Sequence, residues 1–322
     1  MQCKILSFFA AFTLVFSFFF SFKASAQYTN QLTVELDNDM YINPSHDRYY
    51  SDASIATFMR ASALPDSNSK LAKRVMIYHL GQEIYNPSDS HIKYPSQFDR
   101  PFTGYLFMDV GYNWLYKNED ALKFTVQIGT IGPAALGQQT QVNFHRTFGL
   151  HPVGPWDKYQ LNTEPGLNLD LDYKKLLYRT PGSWFDVTFN PEVELGTTFT
   201  NANVGAMFRI GRLGRLFESV STNSLVTSGT AKPKHELFIF TQPQVSYVAY
   251  NATIQGGLFR SDKGPYTFGI YHWLYIQQIG AQYTSDRWSL AYIAYVRTRE
   301  VKSTALGDQY GSVSLAYRFG SR

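Results

Sequence analysis

Hydrophobic and polar residues alternate along most of the chain after residue 26. One face of the segment 106–114 is apolar throughout and the other is mixed: Leu106, Met108, Val110, Tyr112 and Trp114 against Phe107, Asp109, Gly111 and Asn113. The alternation recurs in segments 122–129, 167–174, 185–195, 288–296 and 313–319. Successive side chains of a β-strand point to opposite faces, so this pattern predicts a chain made mostly of strands.

Two folds fit such alternation: a soluble antiparallel sandwich with its apolar faces inside, and a membrane barrel with its apolar face outside. The segments span about 9 to 12 residues, which is the length that a tilted strand needs to cross a bilayer. The chain stops just after a strand that closes in Tyr317-Arg318-Phe319. Aromatic residues also lie near segment ends, as in the girdles of membrane barrels: Tyr112, Trp114, Tyr116, Tyr173, Trp184 and Trp288. These features favour an all-β fold, a transmembrane antiparallel β-barrel.

About twelve strands are predicted, and an even number suits a closed barrel that satisfies every backbone group in lipid. The predicted starts lie near residues 31, 49, 73, 102, 120, 166, 184, 202, 236, 265, 287 and 309. Two long connections, 132–165 and 212–235, stand out, and residues 138–148 of the first predict a short helix in a long extracellular loop. No linker interrupts the pattern, so residues 27–322 are expected to form one barrel domain.

The N-terminus differs from the rest of the chain. Lys4 precedes an apolar run from Ile5 to Phe22, and Ala24-Ser25-Ala26 matches a cleavage site, so residues 1–26 predict a secretory signal peptide. A retained membrane anchor is the alternative. Cleavage would remove the single cysteine, Cys3, and leave an exported chain without disulfides. The mean hydropathy of -0.24 argues against a polytopic helical membrane protein, and a net charge of +4 is too small to indicate nucleic-acid binding.

Three polar positions could carry chemistry. His145 lies in the first long connection and could act as a general base, although a loop histidine is more often an ordinary polar residue. The first strand ends in Glu35-Leu36-Asp37-Asn38-Asp39. The oxygen atoms of these side chains are suitable ligands for a hard cation such as Ca²⁺. The alternative is an ordinary polar end of a strand. Ser51 could be a nucleophile or an oxyanion donor, or only a strand residue.

Read together, these pieces make the chain resemble the outer-membrane lipid A 3'-O-deacylase family, which are calcium-dependent twelve-stranded barrels. The most specific match is the spacing Gly132-Pro133-Ala134-x-x-Gly137-x-x-x-Gln141-x-x-x-His145-Arg146. The resemblance covers the mature chain and is densest up to residue 160. Its other matches are these: Asn38-Asp39, Asp47-Arg48, Tyr50-Ser51, Gln82 to Pro87, Asp99 to Phe102, Asn190-Pro191-Glu192 and Asn251 to Gly256.

The resemblance implies an esterase that removes the 3'-linked acyl group of lipid A at the outer leaflet of the cell outer membrane, with lipopolysaccharide as substrate. His145 would be the general base that activates water. Asp39 would help to hold Ca²⁺, and Asn38 and Ser51 would line the site and position the water or the ester.

Two positions depart from the family pattern. His151 stands where the family has a functional glutamate, and Met40 replaces a second acidic residue after the Asn-Asp pair. Four carboxylates could compensate: Asp37, Asp47, Asp52 or Asp157. Two other functions stay open, a phospholipase-type esterase with Ser51 as nucleophile and a non-catalytic barrel that has lost the site.

Overall fold

In the computed structural model, the described residues are 28–43, 48–63, 65–66, 68–88, 98–150, 152–229 and 235–320. Twelve strands formed by these residues close into an antiparallel barrel. In chain order they are β1 (Asn30–Asn38), β2 (Tyr49–Ala61), β3 (Leu71–Asn86), β4 (Thr103–Tyr116), β5 (Asp120–Ile131), β6 (Glu164–Arg179), β7 (Phe185–Gly196), β8 (Phe199–Arg212), β9 (Glu236–Asn251), β11 (Trp273–Thr284), β12 (Trp288–Arg297) and β14 (Asp308–Phe319). β10 (Gly269–Ile270) and β13 (Val301–Lys302) form a separate two-stranded ribbon.

The predicted barrel is confirmed, because each strand pairs with its neighbours in sequence and β1 closes the ring against β14. The predicted strand starts match within a few residues, except the one near residue 265. That prediction is wrong, because β11 begins at Trp273 and the preceding residues form a short helix, irregular chain and β10. The apolar residues between Tyr266 and Tyr271 imitate a strand although the chain there follows Gly264-Pro265.

The alternation separates the two faces of the barrel wall. Side chains that point outward, away from the lumen, are apolar and exposed; we call this face the outside wall. Examples are Val34, Leu80, Met108, Val126, Leu169, Val204, Ile279 and Leu290. The inward face carries buried polar groups, among them Asp109 and Asn113, so the predicted division of the segment 106–114 is confirmed.

The lumen is filled largely by charged and aromatic side chains. His79 Nδ1 lies 2.6 Å from Asp109 Oδ1, and the Lys123 ammonium lies 3.6 Å from the Asp172 carboxylate. A stack of buried rings adds Tyr50, Tyr85, Tyr105, Phe107 and Tyr310 to the interior. These pairs satisfy charges that would otherwise be costly to place inside the barrel.

The connections divide between two ends of the barrel. Because the strands alternate in direction, β1, β3, β5, β7, β9 and β12 all finish at the same end of the barrel, which we call the loop end. Strand β1 begins and strand β14 finishes at the other, the terminus end. Membrane barrels carry long loops outside and short turns on the periplasmic side, so the loop end is the extracellular one.

Three short helices lie in the loop-end connections: α1 (Gly137–Phe148), α2 (Trp156–Tyr159) and α3 (Ala252–Gln255). α1 confirms the helix predicted over residues 138–148. Within the described residues no helix has the length and apolar character needed to cross a membrane. The predicted signal peptide lies outside the described residues and stays a prediction, as does the domain boundary at residue 26.

Candidate functional site

The candidate side chains from the first strand lie on the outside wall at the loop end. Asn38 is the last residue of β1, and it pairs with Asp52 of β2 on one side and Gly311 of β14 on the other. Its side-chain nitrogen donates a hydrogen bond to Asp52 Oδ1. Its oxygen accepts one from the Met40 backbone N–H at 2.8 Å, which caps the turn that follows. Asn38 therefore joins the two strands at their extracellular rim.

Asp39 is buried in the turn between β1 and β2. Its carboxylate accepts a 2.7 Å hydrogen bond from the Arg48 backbone N–H, and its own carbonyl accepts from Ile42 and Asn43. These bonds draw the two ends of the connection together around one carboxylate. Asp39 thus lies directly beside the Asn38–Asp52 pair.

Ser51 occupies a β-bulge. The register of β2 against β3 shifts between Tyr50, which faces the lumen, and Asp52, which faces outward. The Ser51 hydroxyl donates to the Ile84 carbonyl at 3.3 Å and accepts from the Asn86 side chain at 3.0 Å. With 1% of its surface exposed, Ser51 holds the bulge that turns Asp52 toward Asn38.

Of the four carboxylates that could replace the missing family acids, the structure places Asp52 at the site. Asp37 points into the lumen, where its carboxylate accepts from the Tyr50 hydroxyl at 2.8 Å. Asp157 is an exposed residue of α2. Asp47 and His151 lie outside the described residues, and Met40 is a partly exposed apolar side chain.

The site is electronegative. Burial raises the pKa of the Tyr41 hydroxyl above its usual value, and the negative charges of Asp52 and Asp37 raise it further. Tyr41 lies over the outside wall, because a Cβ atom on Gly311 would come within 2.7 Å of Tyr41 Cβ. A cation at the rim would therefore meet a favourable field.

Helix α1 carries His145 and lies on the same outside wall. It begins over β4, where Gly104 and Gly137 are in contact: a Cβ atom on Gly137 would lie 2.9 Å from Gly104 Cα. α1 also contacts β3, the strand between β4 and β2. Only glycine at both positions permits this close approach of helix and wall.

Buried side chains fix the position of α1. The Trp156 indole N–H donates to the Gln141 side chain at 2.8 Å, and both residues are almost fully buried. Trp156 packs on Phe102, with ring centroids 5.1 Å apart, and belongs to a cluster with Ile84 on the outside wall. Gln82 reaches the carbonyl of Ala135, just before the helix, with a 2.5 Å hydrogen bond.

These contacts explain the spacing of the long-connection motif. Gly132 has φ of 78°, and a Cβ atom there would come within 2.7 Å of the Asn162 carbonyl carbon, so the loop begins beside its own end. Gly137 contacts Gly104 of the wall. One helical turn later, the Gln141 side chain accepts the hydrogen bond from the Trp156 indole. His145 follows one turn beyond Gln141 and is half-exposed.

The structure therefore gathers Asn38, Asp39 and Ser51 at one point of the rim and places the helix of His145 on the same wall. A row of paired residues joins the two parts: Asn38, Asp52, Ile84 and Gly104. Three strand spacings make this row about 14 Å long. His145 lies eight residues after Gly137 in α1, a rise of about 12 Å along the helix, which is comparable to that separation.

The side chains near Asn38 provide the types of ligand atom that Ca²⁺ prefers. Asp39 and Asp52 offer carboxylate oxygens and Asn38 an amide oxygen, and Ca²⁺ prefers oxygen ligands of these types. Across the part of the chain that the structure describes, no group of three His, Cys, Asp or Glu side chains forms a metal site. A calcium ion here would therefore also need backbone carbonyls, water or substrate oxygens.

Sequence reasoning missed two residues of the site. Trp156 follows Gly154-Pro155 in a stretch without periodicity, and nothing local marks it as the support of α1. Asn86 ends β3, 35 residues after Ser51, and its bond to that hydroxyl depends on strand pairing. The sequence indicates Asp52 only as a possible substitute for the missing acids.

A family model and one solved structure agree with this architecture. The family model described as outer membrane protein LpxR matches residues 8–319. LpxR from Salmonella typhimurium has a similar structure, with a TM-score of 0.68 and 20% sequence identity over 90% of this chain and 100% of that chain. The translocator domain of the autotransporter NalP from Neisseria meningitidis gives 0.46 and 9%, over 99% of this chain and 97% of that chain. No curated protein sequence matches significantly.

Proposed function

Because this chain belongs to the family of the outer membrane protein LpxR and is an outer-membrane β-barrel, we propose that it is an esterase that hydrolyses the 3'-linked acyl ester of lipid A. The main support for this proposal is that the candidate groups lie on the same side of the barrel wall. Asn38, Asp52 and α1 are all on the outside wall at the extracellular end. A lipid of the outer leaflet reaches this wall directly, whereas the lumen faces water.

In the proposed reaction His145 accepts a proton from the attacking water, and the water oxygen forms a bond to the ester carbonyl carbon. The bond between that carbon and the sugar oxygen then breaks, and the sugar oxygen takes the proton from His145. The products are a free fatty acid and lipid A with a hydroxyl at the 3' acyl position. Asn38, held by Met40 and Asp52, would orient the water or the ester.

Asp39 and Asp52 would hold Ca²⁺, together with the amide oxygen of Asn38. When bound, the ion would supply positive charge that stabilises the negative charge developing on the ester carbonyl oxygen. The neighbouring carboxylates of Asp52 and Asp39 support a cation at this position. Exposed apolar side chains of the turn after β1 and of α1 with the residue before it, Met40, Phe144 and Leu136, offer surface to acyl chains.

The serine-nucleophile alternative is disfavoured by the surroundings of Ser51. Its hydroxyl is buried, donates to the Ile84 carbonyl and accepts from Asn86. A nucleophilic serine instead needs its hydroxyl hydrogen-bonded to a base and open to the substrate. Ser51 fits the role of a residue that positions Asp52.

Mass spectrometry of lipid A from cells that express the chain tests the proposal. We expect loss of one 3'-linked acyl unit in the presence of Ca²⁺, no loss after chelation, and at least about a hundredfold slower loss with His145→Ala. His272→Ala is the matched control, because His272 is an exposed loop-end histidine on a distant part of the wall. Unchanged lipid A with the barrel folded in the outer membrane would overturn the proposal.

A further inference from the structure

A groove opens on the outside wall, away from the candidate hydrolytic site. It has a volume of about 730 Å³ and lies between the loop-end parts of β9 and β11 and the connection 298–307. We call it the outer groove; its lining residues that matter here are Val245, Tyr271, Trp273, Tyr275, Thr298 and Arg299. In the barrel order, β14 and β12 separate β11 from β1, so the two sites occupy different parts of the wall.

The wall of the outer groove is apolar and open. Trp273 is 69% exposed, and Val245 and Tyr275 are each nearly half-exposed. The Trp273 ring meets Tyr247 at a centroid distance of 5.1 Å in an edge-to-face contact. Trp and Tyr at this depth are typical of the membrane–water interface, where one side of the ring meets acyl chains and the other meets headgroups.

The mouth of the outer groove carries a positive charge. The Arg299 guanidinium lies over the Tyr271 ring, 5.6 Å from its centroid, and donates to the Ser303 carbonyl. The described residues that line the groove include no Asp or Glu. The neighbouring Glu300 is paired instead with the buried Arg100 at 3.0 Å. The charge of Arg299 is therefore available to an anionic group.

The backbone around the outer groove is held in place before any ligand arrives. The Tyr275 N–H donates to the Thr298 hydroxyl at 2.9 Å, and the Thr298 N–H donates to the Tyr275 carbonyl at 3.0 Å. The Tyr271 N–H donates to the Glu300 carbonyl at 2.8 Å. These bonds continue the pairing of β11 and β12 above the barrel and fix Arg299 relative to Trp273. The binding of a ligand would therefore require little ordering of the backbone around the outer groove.

We propose that the outer groove is a lipid-binding site for a phosphorylated acyl lipid of the outer leaflet. One acyl chain would lie against Val245, Trp273 and Tyr275, and the phosphate would bind the Arg299 guanidinium, which matches phosphate oxygens with two parallel donors. Basic residues beside apolar wall at the membrane surface recognise anionic lipid headgroups in this way. The site holds lipid without cleaving it, and it does not depend on the proposed hydrolysis.

A quenching experiment tests this site on the full chain in detergent micelles. The probes are phosphatidic acid with dibrominated chains and diacylglycerol with the same chains, which differ only in the phosphate. Bromine quenches nearby tryptophan fluorescence, and the difference between the wild-type chain and Trp273→Phe isolates the Trp273 signal. We expect phosphatidic acid to quench Trp273 at about tenfold lower concentration than diacylglycerol, because a hydrogen bond to a charged group discriminates by that order.

Arg299→Gln is expected to abolish the difference between the two lipids. Arg287→Gln is the matched control, because the Arg287 guanidinium also lies over a tyrosine ring, 4.9 Å from the Tyr28 centroid, but at the terminus end. It should leave the preference intact. Equal quenching by both lipids, or a preference that survives Arg299→Gln, would overturn the proposal and reduce the groove to ordinary contact with the acyl phase.

Discussion

At the scale of single residues, the side of the wall decides which carboxylate can serve the site. Asp37 and Asp52 both lie next to the Asn38–Asp39 pair, in sequence or across the strand. Asp37 points into the lumen toward Tyr50, and Asp52 points outward to Asn38. Successive side chains of a β-strand point to opposite faces, so Asp37 faces the lumen and its neighbour Asn38 faces outward.

This difference gives a matched pair of variants. Asp52→Asn should weaken calcium-dependent deacylation by at least about tenfold, as loss of a metal ligand or of its support does. Asp37→Asn should change the calcium dependence much less, because its carboxylate lies on the other face of the wall and acts on the rim only through its charge. Initial rates of acyl release over a range of Ca²⁺ concentrations measure both. Equal effects of the two substitutions would contradict the placement of the ion on the outside wall.

Ser51 gives a second prediction at this scale. Ser51→Ala should lower turnover about tenfold without abolishing it, because the bulge that orients Asp52 loses both hydrogen bonds of the Ser51 hydroxyl. Intact-mass measurement during turnover should show no acylated protein in either the wild-type chain or the variant. An acyl adduct that depends on Ser51 would instead establish the serine as the nucleophile.

At the scale of elements, α1 is placed by contacts that lie far from its histidine. The helix rests on the wall where Gly137 meets Gly104, and the Trp156–Gln141 bond holds its first turn and a half. The helix gains its position from tertiary packing, since a 12-residue helix is marginal in isolation. Any change that lifts its first turn moves His145 as well.

Gly104→Leu is therefore expected to abolish deacylation while the barrel still forms. The added side chain would meet the Gly137 backbone at about 3 Å, so α1 must move away from the wall. Gly182→Leu is the control, because Gly182 lies in an exposed turn where only the Trp184 side chain is near. Electrophoretic mobility of the unheated barrel reports folding. Full activity of Gly104→Leu would show that the position of α1 does not depend on the contact between Gly104 and Gly137.

At the scale of the whole molecule, the described part of the second long connection packs against the inner wall at the terminus end. Residues 213–229, which we call the inner plug, fold back against the lumen, and Ser219, Ser224 and Val226 are fully buried. Its carbonyls accept hydrogen bonds from inward-facing groups of the wall, including Lys73 at 2.7 Å and Asn113 at 2.9 Å. The two long connections thus serve opposite ends, one at the candidate site and one as a seal.

Ion pairs anchor the inner plug at its base. Arg209 is fully buried, binds Asp186 at 2.6 Å and donates to the hydroxyls of Ser219 and Ser221. Arg179 bridges Asp186 and Glu119. Removal of one member of such a buried network costs about 3–5 kcal/mol, so the seal is coupled to the stability of the barrel.

The seal predicts a pattern of chemical labelling. Replacement of residues 215–227 by a short Gly/Ser turn should speed modification of the Lys73 amine by a water-soluble acylating reagent several-fold, because its covering carbonyls are gone. Lys117, exposed in the turn between β4 and β5, should react at the same rate in both proteins. Peptide mapping reads both sites. Unchanged labelling of Lys73 would show that the inner plug does not close this end.

The sequence by itself determined the number of barrel strands, eleven of the twelve starts and the faces of the wall, because the two-residue period of a strand is a local property of the sequence. It also determined the helix of His145 and, through the motif spacing, the family. The placements of Ser51 in a bulge, of Trp156 beneath α1 and of the inner plug within the lumen were decided only by the tertiary structure. Those contacts join residues tens of positions apart, and their energies depend on strand register and barrel closure, which no local pattern records.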